Sequence, residues 1–142
     1  MKLVDVNVLL YVVNRKAPLH GTVRSWWEAA LSDEEPVALA WIVLLGFLRL
    51  ATNARVFPEP LTPEQAMERV EAWVSHPNTR LVEETGEHWR ILRGLLQETG
   101  TAGNLTTDAH LAALAISHGA TLVSCDADFG RYRHLRWENP VA

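Results

Sequence analysis

Short apolar segments alternate with longer helical segments along this chain, and the alternation restricts the fold more than any other feature of the sequence. Strands are predicted at Lys2–Val4, Val37–Ala40, Arg80–Val82 and Thr121–Ser124, with a further candidate at Leu135–Trp137. Short apolar strands separated by helices are typical of a parallel sheet that is covered on both faces. We therefore expect an α/β fold with a central, mainly parallel sheet of four or five short strands flanked by helices.

Helical patterns fill the segments between these strands. They run from the first strand to about Asn14, over Thr22–Leu31, Trp41–Asn53, Thr62–His76 and Glu87–Glu98, and from near Thr106 or Thr107 onward. Thr62 is the expected N-cap of its helix, with Pro63 at the first helical position, and Gly100 is expected to end the next helix. No repeat, linker or low-complexity tract divides the series, so we expect one domain over residues 1–142.

Cysteine content and apolar runs indicate a cytoplasmic protein without membrane contact. Cys125 is the only cysteine, so neither an internal disulfide nor a cysteine-rich zinc site can form, which suits a reducing compartment. Asp5 and Asn7 interrupt the first apolar run, as an export signal would not allow. The longest apolar stretch, Val37–Leu48, falls short of the roughly 20 residues that span a bilayer, so a buried helix is expected there.

The formal net charge of −4 argues against a general nucleic-acid-binding protein, because such proteins carry a basic surface that neutralises phosphates. However, 11 of the 13 basic residues are arginine, whose planar guanidinium suits phosphate. Arg131, Arg133, His134 and Arg136 cluster near the C-terminus. The sequence therefore leaves room for a local basic rim on an acidic protein.

Four of the five aspartates stand where a predicted strand ends or a predicted helix begins. Asp5 follows the first strand, Asp126 and Asp128 follow the fourth, and Asp108 opens a helix. Ligands of open α/β sheets bind beyond the carboxyl ends of the strands, so Asp5 and Asp126 are expected to lie close together. Asp108 begins the apolar face of its helix, so it should point toward the sheet and join them.

Three carboxylates in a small pocket repel one another, and a hard divalent cation is the usual way to offset that repulsion. We therefore expect Mg²⁺ or Mn²⁺ at Asp5, Asp108 and Asp126. Such a cation activates water and neutralises charge on a phosphoryl oxygen, which are the two requirements of phosphodiester hydrolysis. The cluster thus indicates a nuclease. A metal-dependent phosphatase for small substrates is an alternative, although no glycine-rich phosphate loop follows any predicted strand.

Each aspartate also has a purely structural explanation, because Asp is a favoured helix N-cap and is stabilised by the helix dipole. For Asp5, Asp108 or Asp126 taken alone, capping is the simpler explanation, and only the three together favour a metal site. Asn7 could either orient a water at the metal or cap the first helix.

The histidines and tryptophans suggest other roles less strongly. The six histidines are spaced irregularly and match no metal-ligand pattern, so surface or core positions are expected. A metal-free ribonuclease that uses a pair of histidines remains an alternative mechanism. The six tryptophans could stack on RNA bases, but most lie on apolar faces of predicted helices, and we expect them to pack in the core.

Three segments together resemble a known family. LVDVNVLLY near the start, TDAHLAALAISHGATLVSCDADF late in the chain and LRWENP at the end are similar to the PIN-domain toxins of bacterial VapBC toxin–antitoxin pairs. The late segment is the most specific, because a first-turn Asp, an Ala/Leu-rich helix, HGATLV and D-x-D-F recur there in that order. The resemblance extends over the whole chain.

The resemblance implies a PIN-like domain that hydrolyses RNA with Mg²⁺ or Mn²⁺ and inhibits growth until a cognate VapB-like antitoxin blocks it. Structured RNA such as tRNA is the expected substrate. Asp5, Asp108 and Asp126 correspond to the family's catalytic, metal-binding acids, and Asp128 matches a further acid that we expect to bind the metal. A homodimer is also implied, and the apolar third helix and the Thr62–His76 helix offer apolar surface for one.

One position departs from the family pattern. Many members carry a Glu three residues before an Arg on the third helix, and the segment GFLR has Gly46 at that place. The metal site should therefore carry less charge, with Asp128 compensating in part. The missing acid and the pI of about 5.8 keep an alternative open, namely a non-catalytic PIN module that binds RNA or protein. Binding of Mn²⁺ through Asp5 would separate the two.

Overall fold

The first strand lies at the centre of the sheet. The computed structural model describes residues 1–142, and its strands are β1 (Lys2–Val4), β2 (Val37–Leu39), β3 (Thr79–Leu81), β4 (Thr121–Val123) and β5 (Trp137–Glu138). They form one sheet in the order β3-β2-β1-β4-β5, and every neighbouring pair is parallel. In the centre, Leu3 pairs with Ala38 on one side and with Leu122 on the other.

Six helices connect and cover the strands. They are α1 (Val6–Val13), α2 (His20–Leu31), α3 (Trp41–Ala51), α4 (Pro63–Val74), α5 (His88–Thr99) and α6 (Thr106–Ser117). The expected α/β fold is confirmed, and each predicted helix and strand is present. Two short 3-10 helices, Gly103–Leu105 and Ala127–Arg131, were not predicted from the sequence.

The chain reverses direction across the sheet after β3. The connections from β1 to β2 and from β2 to β3 move toward one edge, whereas the next one returns past β1 to β4. Because crossovers between parallel strands are right-handed, the reversal places α5 and α6 on the opposite face from α1 to α4. The helix contacts agree, since α1 packs on α2 and α3, α3 on α4, and α5 on α6. The gap between the ends of β1 and β4 is therefore the switch point, where ligands bind in such folds.

Helix α3 is buried on one side only, which corrects the expectation of a buried helix. Val43, Leu44 and Phe47 are at most 3% exposed and pack in the core. In contrast, Trp41 and Leu45 are 51% and 60% exposed. This helix therefore presents an apolar outer face that nothing else in the chain covers.

The tryptophans divide between core and surface. Trp27 and Trp73 are buried and meet edge to face, with ring centroids 5.9 Å apart. The expectation of core packing is wrong for Trp41 and for Trp89, whose side chains are largely exposed.

The predicted helix ends are formed by the expected residues. The Thr62 hydroxyl accepts from the Gln65 backbone N–H at 3.1 Å, and the Gln65 side chain accepts from the Thr62 N–H at 3.0 Å. Pro63 is the first residue of α4, and Gly100 ends α5 with a φ of 70°, a left-handed conformation that favours glycine. None of the helices is both long enough and apolar enough to cross a membrane.

Candidate active site

Asp5 joins the end of β1 to the start of α1. Its backbone N–H donates to the Val123 carbonyl at 2.9 Å, which continues the pairing with β4 by one residue. Its Oδ1 accepts from the Val6 N–H at 2.7 Å, so Asp5 is the N-cap of α1. Its Oδ2 accepts from the Ser124 hydroxyl at 2.8 Å. The carboxylate therefore caps a helix and faces the end of β4 at the same time.

Ser124 is the polar centre of this edge, and the sequence analysis missed it. It is completely buried. Its Oγ donates to Asp5 and accepts from Asn7 Nδ2 and from the Asp126 N–H, both at 3.0 Å. The Asn7 Oδ1 also accepts from the Cys125 N–H at 3.1 Å. The available signal was a serine directly after an apolar strand and two residues before an aspartate, a spacing at which hydroxyls bind the backbone.

Asp126 and Asp128 lie on the turn that follows β4. Asp126 is half-buried, and its Oδ1 accepts from the Asp128 N–H at 2.9 Å, so it caps the 3-10 helix Ala127–Arg131. Asp128 is exposed, and its Oδ2 lies 3.5 Å from Arg131 Nη2. Asp128 thus stands at the rim of the site, and Asp126 stands closer to its centre.

Asp108 is the third residue of α6 and is held differently. It is half-buried, and its carboxylate makes no side-chain hydrogen bond within the chain. The N-cap position of α6 is occupied by Leu105, which cannot cap with its side chain. Capping therefore accounts for Asp5 and Asp126 but not for Asp108, whose carboxylate is left without a structural partner.

The aspartates act on one another electrostatically. Burial raises the pKa of Asp5, hydrogen bonds from Ser124 and Val6 partly lower it, and the charge of Asp126 raises it again. Burial also raises the pKa of Asp108, and the charges of Asp5, Asp126 and Asp128 raise it further, against the opposing charge of a nearby arginine. The charges of Asp5, Asp126 and Asp128 all act on Asp108, so the structure places the four predicted aspartates in one region of the molecule.

The donor set fits a hard divalent cation in its chemistry. No Lys, Arg or His side chain forms a salt bridge with Asp5, Asp108 or Asp126, so their charge is not offset by an ion pair. As they stand, the side chains do not converge as a ready-made group of three metal ligands. Asp5 is fixed by three hydrogen bonds, whereas Asp108 has none, so Asp108 is the carboxylate that is free to turn.

A buried hydroxyl adjoins the cluster. Tyr132 is 3% exposed, and its hydroxyl makes no hydrogen bond. Burial raises the pKa of this hydroxyl, and the charges of Asp108 and Asp128 raise it further. Buried polar groups are nearly always hydrogen-bonded, so the unpaired Tyr132 hydroxyl near Asp108 and Asp128 is an unusual feature of this part of the structure.

A histidine pair exists, but its position does not suit catalysis. His88 Nε2 lies 2.9 Å from His110 Nδ1, between α5 and α6, and His110 Nε2 lies 3.5 Å from Glu84. Burial lowers the pKa of His88, and the charge of His110 lowers it further. His88 is only 9% exposed, so the pair cannot reach a large substrate from both sides as acid and base.

The predicted basic rim is divided. Arg131 Nη2 lies 3.5 Å from Asp128 Oδ2, and its charge lowers the pKa of Asp108. Arg136 instead donates to the Gly119 carbonyl, which precedes β4 and so lies at the other end of that strand. Arg133 and His134 are exposed. Of these four residues, Arg131 is the one with a contact to a site aspartate, Asp128.

Position 46 faces the start of α1. A Cβ built on Gly46 would lie 3.4 Å from Val6 Cγ2, which is an ordinary van der Waals contact. Val6 directly follows Asp5. A side chain at position 46 would therefore begin beside Val6, the residue that follows Asp5, although glycine provides none.

Comparison with known proteins gives a consistent result. Residues 2–135 match the PIN domain family. The chain is 47% identical over 142 residues to ribonuclease VapC37 of Mycobacterium tuberculosis, which covers 100% of this chain and 99% of that protein. It is 40% identical over 137 residues to ribonuclease VapC33 of the same species, covering 96% of each.

Solved structures share the fold at low sequence identity. The structure of VapBC2 from Rickettsia felis bound to a promoter DNA fragment superimposes with a TM-score of 0.70 at 20% identity, covering 97% of each chain. That of Mycobacterium tuberculosis VapC20, described as a toxin that cleaves the sarcin-ricin loop, gives a TM-score of 0.67 at 18% identity. It covers 96% of this chain and 99% of that one.

Proposed function

Because the chain belongs to the PIN-domain family and is a VapC ribonuclease toxin of a type II toxin–antitoxin system, we propose that it hydrolyses RNA with Mg²⁺ or Mn²⁺ held by Asp5, Asp108 and Asp126. Asp128 completes the site from its rim. The observation that supports this most is that three carboxylates, none of them in a salt bridge, lie near one another at the switch point of the sheet. We further propose that residues 1–142 act as one domain.

The aspartates have distinct parts in this proposal. A bound Mg²⁺ or Mn²⁺ would neutralise charge on the phosphoryl oxygens and activate water. Asp5 provides a carboxylate of fixed orientation, because Ser124, Asn7 and the Val6 N–H all bind it. Asp108 provides a carboxylate that can turn, because no hydrogen bond restrains it. Fixed and adjustable ligands together allow a small, demanding cation to be enclosed with little distortion of the fold.

Structured RNA such as tRNA is the proposed substrate, and a cognate VapB-like antitoxin is the proposed partner. One structure with the same fold is described as a toxin–antitoxin complex from Klebsiella pneumoniae. An occupant that blocks an acidic site should bring positive charge to it. We therefore expect the antitoxin to place basic side chains near Asp5 and Asp126.

Product chemistry tests the proposal. We expect RNA cleavage to stop in EDTA, to return with Mn²⁺ or Mg²⁺, and to leave 5′-phosphate ends because water attacks phosphorus. Asp5→Asn, Asp108→Asn and Asp126→Asn should each abolish cleavage and keep the fold, since Asn preserves volume and capping. The matched control is Asp33→Asn, which changes an exposed loop aspartate.

Three outcomes would contradict the proposal. Cleavage at the wild-type rate by all three variants would leave the aspartates with a capping role only. Metal-independent cleavage that produces cyclic 2′,3′-phosphate ends would assign the reaction to histidine chemistry. A protein that binds RNA without cleaving it under any metal condition would instead be the non-catalytic module.

A further inference from the structure

A cleft opens between the N-terminal ends of two helices and the outer side of α3. Its volume is about 350 Å³. Val6 of α1 and Thr107 of α6 form one wall, and α3 forms the opposite wall with Ile42, Leu45, Gly46 and Leu50. This volume lies within the range of small-molecule sites, and its walls are mostly apolar with few polar groups, as in such sites.

The cleft lies directly beside the proposed catalytic residues. Val6 follows Asp5 in the chain, and Thr107 precedes Asp108. Two residues of the cleft wall are therefore adjacent in sequence to two of the three aspartates. A substrate whose phosphate reaches the aspartates has its adjacent nucleotide within reach of the cleft.

Arg49 supplies the positive charge at the rim. It lies in the last turn of α3 and lines the cleft. Its side chain is exposed and forms no salt bridge within the chain. An unpaired guanidinium next to an apolar cleft can bind a phosphate with its planar donors.

We propose that this cleft is a nucleotide subsite, which takes the base of the nucleotide next to the scissile phosphate and binds that nucleotide's own phosphate at Arg49. The inference rests on the proposed function. A nucleotide matches both halves of the site, because its base is flat and largely apolar on its faces and its phosphate is anionic. The aspartates then hold the scissile phosphate while the cleft fixes the strand that carries it.

Charge favours this occupant over two others. A basic antitoxin segment would suit the aspartates but would be repelled by Arg49 within the cleft. A second copy of the chain, related by a twofold axis through the cleft, would bring two Arg49 side chains toward each other without a carboxylate between them. A nucleotide avoids both conflicts.

Gly46 determines the width of the cleft. Its missing side chain leaves the space beside Val6, where a Cβ alone would reach van der Waals contact at 3.4 Å. An alanine therefore fits with a small loss of volume, whereas a leucine at this position would fill the space. Gly94, a helical glycine of α5 with nothing within 4 Å of its Cβ position, is the matched control.

Abasic substitution in the RNA tests the subsite. The probe is a fluorescent single-stranded RNA oligonucleotide with one abasic residue moved along it, and its Kd is measured by anisotropy without divalent ions. We expect the abasic residue to weaken binding about tenfold at one position, the effect of losing one stacked base. With Gly46→Leu the intact RNA should bind about tenfold more weakly, and the abasic residue should have no further effect.

Control variants separate the cleft from the fold. Gly94→Leu should bind intact and abasic RNA as the wild type does. Gly46→Ala, whose Cβ fits by contact distance, should bind intact RNA with a Kd between those of wild type and Gly46→Leu. Arg49→Gln should weaken binding of intact and abasic RNA alike, while Arg93→Gln, on the exposed side of α5, should not. Circular dichroism tests whether Gly46→Leu is folded. If it is unfolded, Gly46→Ala is compared with wild type instead.

The inference is overturned if no abasic position weakens binding, or if the abasic effect is equally large in wild type and in the Gly46 variants. Loss of antitoxin binding or of self-association in Gly46→Leu, with RNA binding unchanged, would likewise assign the cleft to a protein. Because binding is measured without metal, its result does not depend on whether the protein cleaves RNA. An absence of cleavage would refute the proposed function, whereas the abasic-RNA binding pattern alone decides whether the cleft binds a nucleotide.

Discussion

Asp108 illustrates the conflict between function and stability at the scale of single residues. Its carboxylate is half-buried and has no hydrogen-bond donor, and its pKa is raised by burial and by the charges of Asp5 and Asp126. A carboxyl group with a raised folded-state pKa favours folding most when it is protonated. Below about pH 4 that contribution is complete, and it is lost as the pH rises through the folded-state pKa. At neutral pH, without metal, the ionised Asp108 therefore destabilises the fold.

We expect Asp108→Asn to be more stable than wild type in EDTA at pH 7, by about 2 °C in Tm, because a neutral side chain removes the repulsion. The gain should shrink as the pH falls from 7 through the raised pKa of Asp108, because the wild-type carboxyl group is then protonated. Thermal unfolding followed by circular dichroism over this pH range measures both effects. Asp33→Asn should show no such gain, and a variant less stable than wild type at pH 7 would mean that Asp108 has a structural partner.

The sequence predicted the aspartates and not their supporting groups, for a physical reason. Asp5, Asp108 and Asp126 lie at the ends of predicted elements, so the topology of an α/β sheet is sufficient to bring them together. Ser124 acts through a single hydroxyl group, and the carboxylate to which it donates is distant in sequence, while the buried Tyr132 hydroxyl has no partner in the chain. The Ser124 hydroxyl donates to a residue 119 positions away, and a pattern of local spacing contains no information about such a pair.

Helix α3 shows, at the scale of elements, what periodicity can and cannot predict. Its apolar run correctly predicted a helix, but apolar character was taken as burial, and one face is exposed. A uniformly apolar sequence does not indicate which side faces the core.

The end of β2 was predicted one residue too late, because an apolar residue can be buried without pairing in the sheet. Ala40 has extended backbone geometry and is buried, yet it is the N-cap of α3 and no longer pairs with a neighbouring strand.

Gly46 connects α3 with the metal site, and Gly46→Glu makes that connection testable. A carboxylate at position 46 should tighten Mn²⁺ binding, because another anionic ligand offsets the cost of stripping water from the ion. Glu should also add about 0.5–1 kcal/mol of helix stability over Gly. Because Glu would occupy the cleft, RNA binding should weaken.

Calorimetry with Mn²⁺ and thermal unfolding in EDTA separate these effects. Gly94→Glu is the control, since it gains helix propensity away from the aspartates. A gain in stability that both variants share, without tighter Mn²⁺ binding by Gly46→Glu, would show that position 46 does not face the metal site. Unfolding of Gly46→Glu alone would identify Gly46 as a close-packing residue.

At the scale of the whole molecule, exposed apolar surface indicates assembly. Trp41 and Leu45 lie one turn apart on α3 and are both more than half exposed. The apolar surface of α4 is less suitable, since Met67 is surrounded by Glu64, Glu68 and Glu71. Leu45 also lines the nucleotide cleft, whereas Trp41 does not, so a second copy bound at Trp41 would lie beside the cleft. We therefore propose that the homodimer forms through the Trp41 end of α3.

We expect the protein to be a dimer in size-exclusion chromatography coupled to light scattering at tens of micromolar, roughly, and Trp41→Glu to make it a monomer, because a buried unpaired charge is strongly unfavourable. Trp89→Glu is the matched control, since Trp89 is 67% exposed on α5. A wild-type monomer would refute the dimer. Equal dissociation by the two variants would exclude α3 as the specific interface.

Direct measurement of Mn²⁺ binding by isothermal titration calorimetry tests the central claim, that Asp5, Asp108 and Asp126 form a divalent-cation site. We expect the wild-type protein to bind Mn²⁺ at neutral pH and each single Asp→Asn variant to bind it at least about tenfold more weakly. Asp33→Asn should bind like wild type. Equal affinity in all four variants, or no binding by the wild type, would contradict the account, whatever RNA the protein binds.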